Sequence, residues 1–229
     1  MSVQPEAGTD SLETRLAAVR RRMARAADRS RRDPAGILLL AVTKVFPPAA
    51  IREAYALGLR DFGENYVQEF EAKAPGLAGL AGARFHFIGR LQSNKARKAA
   101  ELFQVVQTVD SPRLAQRLNE ASGGIQVMLE VKLSAEQAKS GAAPGELPEL
   151  IAAVRQCPRL ELRGLMTMPP WSDDPEASRP YFRRLRELAG LHGLTELSMG
   201  MSHDLETAIE EGATCVRVGS ALFGPRRKA

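Results

Sequence analysis

Cysteine is scarce in this chain. Its 229 residues hold two, Cys157 and Cys215, far apart and without a CxxC or Cys/His spacing. That excludes a disulfide framework and a cysteine-based zinc site, and both are expected to be free thiols. Aromatic residues are only 5% of the chain and are not interleaved with basic ones, so no stacking platform for single-stranded nucleic acid is visible. No apolar run reaches the roughly 18 residues of a membrane-crossing helix. The opening MSVQPEAGTD lacks the apolar centre of a secretory signal. A cytoplasmic protein without membrane attachment is expected.

Hydrophobic residues make up 44% of the chain, enough for a substantial core, and no linker or shift in composition divides it. One domain is expected over residues 11–225, with a flexible N-terminus at 1–10 and a basic tail at 226–229. The formal net charge is +5, which raises the question of nucleic acid. The charge is local, however. Arg20, Arg21, Arg22, Arg25, Arg29, Arg31 and Arg32 crowd one early segment, and Arg226, Arg227 and Lys228 form the tail. Such runs read first as a solvated helix face and a frayed terminus.

Along the chain, residues 11–32 place Leu12, Leu16, Val19, Met23 and Ala27 at helical spacing with arginine opposite, which predicts one amphipathic helix covering a side of the domain. The stretch 37–44, ILLLAVTK, then reads as a strand buried on both faces that ends on an amine. From there strands and helices alternate. The predicted strands are 37–43, 59–63, 84–88, 105–109, 125–131, 160–166, 196–199 and 215–218. Eight strands alternating with helices in this length predict a (β/α)₈ TIM-type barrel, an α/β fold with an extra N-terminal helix. A doubly wound open sheet is the alternative.

In such a barrel, functional residues come from the carboxyl ends of the strands, and a phosphate site is often built from the loops after strands seven and eight. Those loops read SMGMSHD and RVGSALFG. Gly200 and Gly219 allow close backbone approach, Ser202 and Ser220 offer hydroxyls, and a helix beginning near Ser202 would aim free N–H groups at an anion. The alternative is that the glycines are plain turn residues and the serines are caps. Lys44 on strand one and Arg217 on strand eight become neighbours in a closed barrel. A lysine forms a Schiff base only when neutral, and an adjacent cation favours the neutral form. Phosphate site, lysine and arginine together fit pyridoxal phosphate. Taken singly, Lys44 reads as a solvated boundary residue and Arg217 as a salt-bridged one. His86 alternates with Phe85 and Phe87, so it is either a satisfied core histidine or a catalytic base, depending on register. Trp171 either covers the mouth or anchors its own loop.

The motifs AVTK, DFGENYVQE, HFIGRLQSNK, RGLMTM, LSMGMSHDLETAI and VRVGSALFG occur in this order between residues 39 and 224, and the chain resembles the pyridoxal phosphate homeostasis proteins. The resemblance implies a single barrel of pyridoxal phosphate fold type III, like the N-terminal domain of alanine racemase, with the cofactor as a Schiff base on Lys44. It further implies Arg217 at the pyridine nitrogen and the phosphate held by Met201, Ser202, Gly219 and Ser220. Asn65 and His86 fall on the cofactor's side. Ser220 stands where threonine is expected, which keeps the hydroxyl. The loop VKLSAEQAKSG departs at Lys132 and Ala135 from the expected asparagine and glycine, which bears on how Lys139 and its loop close over the cofactor.

Three functions compete: a holder and supplier of pyridoxal phosphate, an amino-acid racemase or decarboxylase on the same barrel, and a basic protein acting through nucleic acid or a partner. Racemases on this barrel carry a further β-domain and a second acid/base residue. None of Tyr55, Tyr66 and Tyr181 ends a predicted strand, so the holder is preferred. Without that domain a monomer is expected, with pyridoxal phosphate-dependent apo-enzymes as candidate partners. The reading predicts no appreciable nucleic-acid affinity in a filter-binding assay; strongly salt-dependent binding that disappears when Arg20 to Arg32 are neutralised would restore the third function.

Overall fold

The computed structural model describes residues 11–134 and 140–225; the predicted flexible N-terminus, Lys139 and the basic tail lie outside them. The chain opens with helix Leu12–Arg29 (α1). Ser11 Oγ accepts the amide of Thr14 at 3.1 Å and caps its start. Then follow Leu38–Val42 (β1), Pro48–Ala56 (α2), Asp61–Glu64 (β2), Val67–Lys73 (α3), Arg84–Phe87 (β3), Ala96–Leu102 (α4), Val105–Val109 (β4) and Pro112–Ala121 (α5). The second half comprises Ile125–Glu130 (β5), Leu147–Arg155 (α6), Leu160–Met166 (β6), Arg179–Leu191 (α7), Glu196–Met201 (β7), Leu205–Glu210 (α8), Cys215–Val218 (β8) and Ser220–Phe223 (α9).

Every strand is parallel to its neighbours, and the eight close into a barrel in sequence order. The closing pair is β1 with β8, with Leu40 opposite Arg217. An open doubly wound sheet is thereby excluded. Boundaries moved where local hydrogen bonding competes with pairing. Strand β2 starts at Asp61 rather than residue 59, because the amide of Leu59 closes the end of α2 on Ala54 O. Strand β7 runs on past residue 199 to Met201, through an irregularity between Ser198 and Met201.

The main apolar core lies between the barrel and its helices; a smaller cluster, Leu40, Val42, Ile88 and Cys215, plugs the interior. Even-numbered residues of β1 therefore point inward. The arginine face of α1 is only partly solvated, contrary to the expectation from sequence. Arg22 grips Glu206 of α8 with two bonds of 2.6 and 2.7 Å and reaches Ser202 O at 3.0 Å, while Arg15 donates to Leu222 O at 2.6 Å. Arg20, Arg21 and Arg25 remain exposed. The helix thus covers a side of the barrel, as predicted, and also ties down the loops after β7 and β8.

Behind the end of β1 lies a buried ionic cluster. Lys73 Nζ donates to Thr43 O at 2.9 Å and to both carboxylate oxygens of Glu64 at 3.0 and 3.1 Å. Thr43 Oγ1 donates to Glu64 Oε1 at 2.8 Å. Burial pushes the Glu64 carboxyl up, and the Lys73 ammonium opposes that. Removing one partner of a buried pair leaves the other charge uncompensated, which costs about 3–5 kcal/mol. Lys73→Met is therefore expected to lower unfolding stability in urea by that amount, with part of the loss recovered in Lys73→Met/Glu64→Gln. A wild-type-like midpoint for the single variant would contradict the clamp.

Candidate functional site

The inward row Leu38, Leu40, Val42 continues to Lys44, which places its amine at the carboxyl-end mouth of the barrel. The next residue fixes the turn. Val45 has φ of 64°, a left-handed conformation unfavourable for a β-branched residue. Its amide is held by Glu69 Oε1 at 2.6 Å, and Glu69 is in turn paired with Lys73. Strain after Lys44 is thus maintained by the same cluster that anchors Thr43 before it.

A cavity of about 360 Å³ opens at this mouth. It brings together Lys44, Asn65, Met201, Ser202, Arg217, Gly219 and Ser220, seven of the eight residues singled out in the sequence, along with Phe46, Met168, Trp171 and His203. Arg217 is only 3% exposed. Its NH1 donates to Ser198 Oγ at 2.8 Å and its NH2 to Thr167 O at 2.8 Å. No carboxylate among the described residues pairs with it directly. Burial lowers its pKa, and the more distant Asp204 and Glu130 oppose this.

At the other side, Ser202 Oγ accepts the amides of Gly219 and Ala221, each at 3.2 Å. The loops after β7 and β8 therefore meet through one hydroxyl and two main-chain N–H groups. Gly200 lets β7 lie close against α8: its φ is +87°, and a Cβ there would lie 2.4 Å from Ala208 Cβ. One expectation is corrected here: the helix expected near Ser202 starts only at Leu205. The amide of Met201 donates to Asp204 Oδ1 at 2.7 Å. The N–H groups that face the pocket's serine come instead from the short turn of α9.

Asn65 lines the cavity, and its Oδ1 is buried without a hydrogen-bond partner among the described residues. A buried orphan acceptor of this kind calls for a ligand donor or water. His86 is placed differently from the expectation. The residue that reaches the mouth is Ile88, just after β3, while His86 sits a layer below it, lining the opposite, amino-end opening with Arg84 and Cys215. Its Nε2 lies 2.9 Å from Asp61 Oδ1 and its Nδ1 lies 3.0 Å from Gln107 Nε2. It is a satisfied interior histidine, the alternative that register decided.

Sequence reading missed Gln107, Ser198, Lys73 and Glu130. Glu130, at the end of β5, is buried, its carboxyl pushed up by burial and bonded by Ser140 Oγ at 3.1 and 3.2 Å. Gln107 left a signal, a lone amide in the apolar run VVQTV. Lys73 left none, because its buried position depends on α3 folding back over β1.

The family described as alanine racemase, N-terminal domain, matches residues 14–227. A Pseudomonas aeruginosa protein named pyridoxal phosphate homeostasis protein is 52% identical over 217 residues, covering 92% of this chain and 94% of that one. The chain belongs to the pyridoxal phosphate homeostasis family. An Escherichia coli member of the family, bearing the same name, is 44% identical, with 92% and 95% of the two chains covered. The structure of PipY from Synechococcus elongatus with pyridoxal phosphate bound is 40% identical, with a TM-score of 0.81 over 93% of this chain and all of that one. Alanine racemase of Corynebacterium glutamicum, at 21% identity and a TM-score of 0.66, shares the fold; the matched region is 61% of its length.

The position of His86 has a consequence for stability. Burial lowers its pKa from 6.5, with Asp61 opposing. The unfolded chain thus binds the proton more readily, and stability is full above the unfolded value of about 6.5 and declines as pH falls below it toward the folded value. Urea midpoints measured from pH 8 to 5 are expected to show this decline, and His86→Gln to reduce its slope; an unchanged slope in the variant would assign the decline to other groups.

Proposed function

We propose that this chain binds pyridoxal 5'-phosphate at the barrel mouth, tethers it on Lys44 as a Schiff base, and holds and supplies it inside the cell without sustained catalysis of its own. One observation carries the reading: an amine, a buried guanidinium without a carboxylate partner among the described residues, and a hydroxyl bracketed by two main-chain N–H groups converge on one cavity. The donor set fits the cofactor in kind. Met201, Ser202, Gly219 and Ser220 would hold the phosphate, Arg217 the ring nitrogen, and the orphan oxygen of Asn65 would accept from a donor at the ring's edge.

When bound, the cofactor supplies an aldehyde for an amine and a ring able to accept electron density. Arg217 can only donate hydrogen bonds, so it would keep the ring nitrogen unprotonated and the ring a weak electron sink. That favours holding over turnover. The same preference is supported by the cavity lining, in which no tyrosine occurs among the described residues. Around the mouth, Val45, Tyr66, Met168 and Trp171 are exposed apolar side chains, Trp171 by 70%. A rim of this kind supports contact with a recipient apo-enzyme.

Titrating the purified protein with pyridoxal phosphate is expected to raise the visible absorption band of a protein-bound imine, and Lys44→Ala to abolish it. An undiminished band in the variant would remove the tether. In the same preparations, steady racemisation or decarboxylation of amino acids well above that of free cofactor would replace the holder with a racemase-like enzyme.

A further inference from the structure

Arg217 is one end of a hydrogen-bond chain that crosses the barrel interior. Its NH1 donates to Ser198 Oγ at 2.8 Å, and Ser198 Oγ donates to Gln107 Oε1 at 2.6 Å. Gln107 Nε2 lies 3.0 Å from His86 Nδ1, and His86 Nε2 lies 2.9 Å from Asp61 Oδ1. Four of these side chains, Arg217, Ser198, Gln107 and His86, are buried. The five come from β8, β7, β4, β3 and β2, so the chain links strands from both halves of the barrel.

The chemistry of its two ends fixes the direction of every link. An ionised carboxylate only accepts, so Asp61 requires a proton on His86 Nε2. A neutral ring then has a bare Nδ1, which requires the NH₂ of Gln107. The amide oxygen of Gln107 is thereby turned to Ser198, whose proton it takes, leaving the serine's lone pairs for the guanidinium. At the other end the guanidinium only donates, which the serine's lone pairs accept, so the assignment is compatible with both ends. Reversing any one member would set two donors or two acceptors against each other in a water-poor interior, at a cost near that of an unsatisfied buried group, about 1–3 kcal/mol.

We propose that Gln107 and Ser198 are positioning residues for the cofactor: the one-way relay from Arg217 to Asp61 sets the guanidinium's orientation at the ring nitrogen. This rests on the pyridoxal phosphate reading and deepens it. Two of the guanidinium's nitrogens are committed to Ser198 Oγ and Thr167 O, which defines its plane. Without the hydroxyl partner the plane is held by a single carbonyl, and the ring nitrogen loses a fixed donor. Gln107 makes no hydrogen bond to Arg217 and acts through Ser198. Its effect on the cofactor therefore distinguishes a relay from ordinary polar packing, which would change stability alone.

The test uses protein loaded with pyridoxal phosphate labelled with ¹⁵N in the ring. The native protein is expected to give the ring-nitrogen signal of the unprotonated form. Gln107→Leu and Ser198→Ala are each expected to move the signal toward the protonated position and to weaken cofactor retention on dialysis. Ser198→Thr, which keeps a hydroxyl between Arg217 and Gln107, is expected to retain the native signal. If Gln107→Leu does not fold, Ser198→Ala carries the test. A folded, loaded Gln107→Leu or Ser198→Ala protein with the native ring-nitrogen signal would overturn the relay and leave the cofactor site intact. A native protein that takes up no cofactor would instead overturn the reading beneath it.

Discussion

The pairing of the first strand with the last is the constraint on which the site depends. Leu40 stands opposite Arg217 across that seam, and Lys44 lies two inward positions further along the chain, just past the end of β1. In an open sheet the same two residues would lie on separate edges or opposite sides of a switch point. Closure makes them neighbours at one mouth and brings the phosphate-type loops of β7 and β8 beside them. Outside the last strand lies the four-residue α9. Helix α1 packs against α8 and α9 there, and its Arg15 and Arg22 hold main-chain oxygens of the two loops.

The barrel mouth is rigid on the lysine side for electrostatic reasons. A buried ammonium, Lys73, carries Thr43 O, Glu64 and Glu69, and the last of these holds the strained amide of Val45. Lys44 is thus bracketed by two residues whose main chain is fixed. On the arginine side, rigidity comes from the interior relay. Burying a guanidinium costs several kcal/mol unless its donors are satisfied, and here two of its nitrogens donate to neutral acceptors, Ser198 Oγ and Thr167 O, while the relay's carboxylate, Asp61, lies at the far end. A carboxylate placed directly on Arg217 would compete with a ligand for its donors. A distant one does not.

The fold was legible because barrel strands announce themselves by composition: LLLAV, VVQTV and IQVMLE are apolar on both faces, and turn residues separate them. The rule that function gathers at strand carboxyl ends pointed to Lys44, Ser202, Arg217, Gly219 and Ser220, and the family resemblance added Asn65 and Met201. Register was not legible. His86 and Ile88 both lie near the end of β3 and share one face, and only the pairing with β2 and β4 shows which of them reaches the mouth. Nor were the contacts of arginine. Arg22 and Arg20 look alike in sequence, yet one is built into the loop after β7 and the other meets solvent, because the helical rotation of α1 is fixed by its apolar stripe.

These features fit the proposed role, in which one reactive aldehyde is held on one amine with a cation at the ring that restrains further chemistry. The central claim concerns a single bond, and reduction makes that bond permanent. Borohydride treatment of the loaded protein followed by peptide mass mapping is expected to place one pyridoxyl phosphate addition on the peptide containing Lys44. An addition distributed over surface lysines, or located on a lysine elsewhere in the chain, would contradict the account.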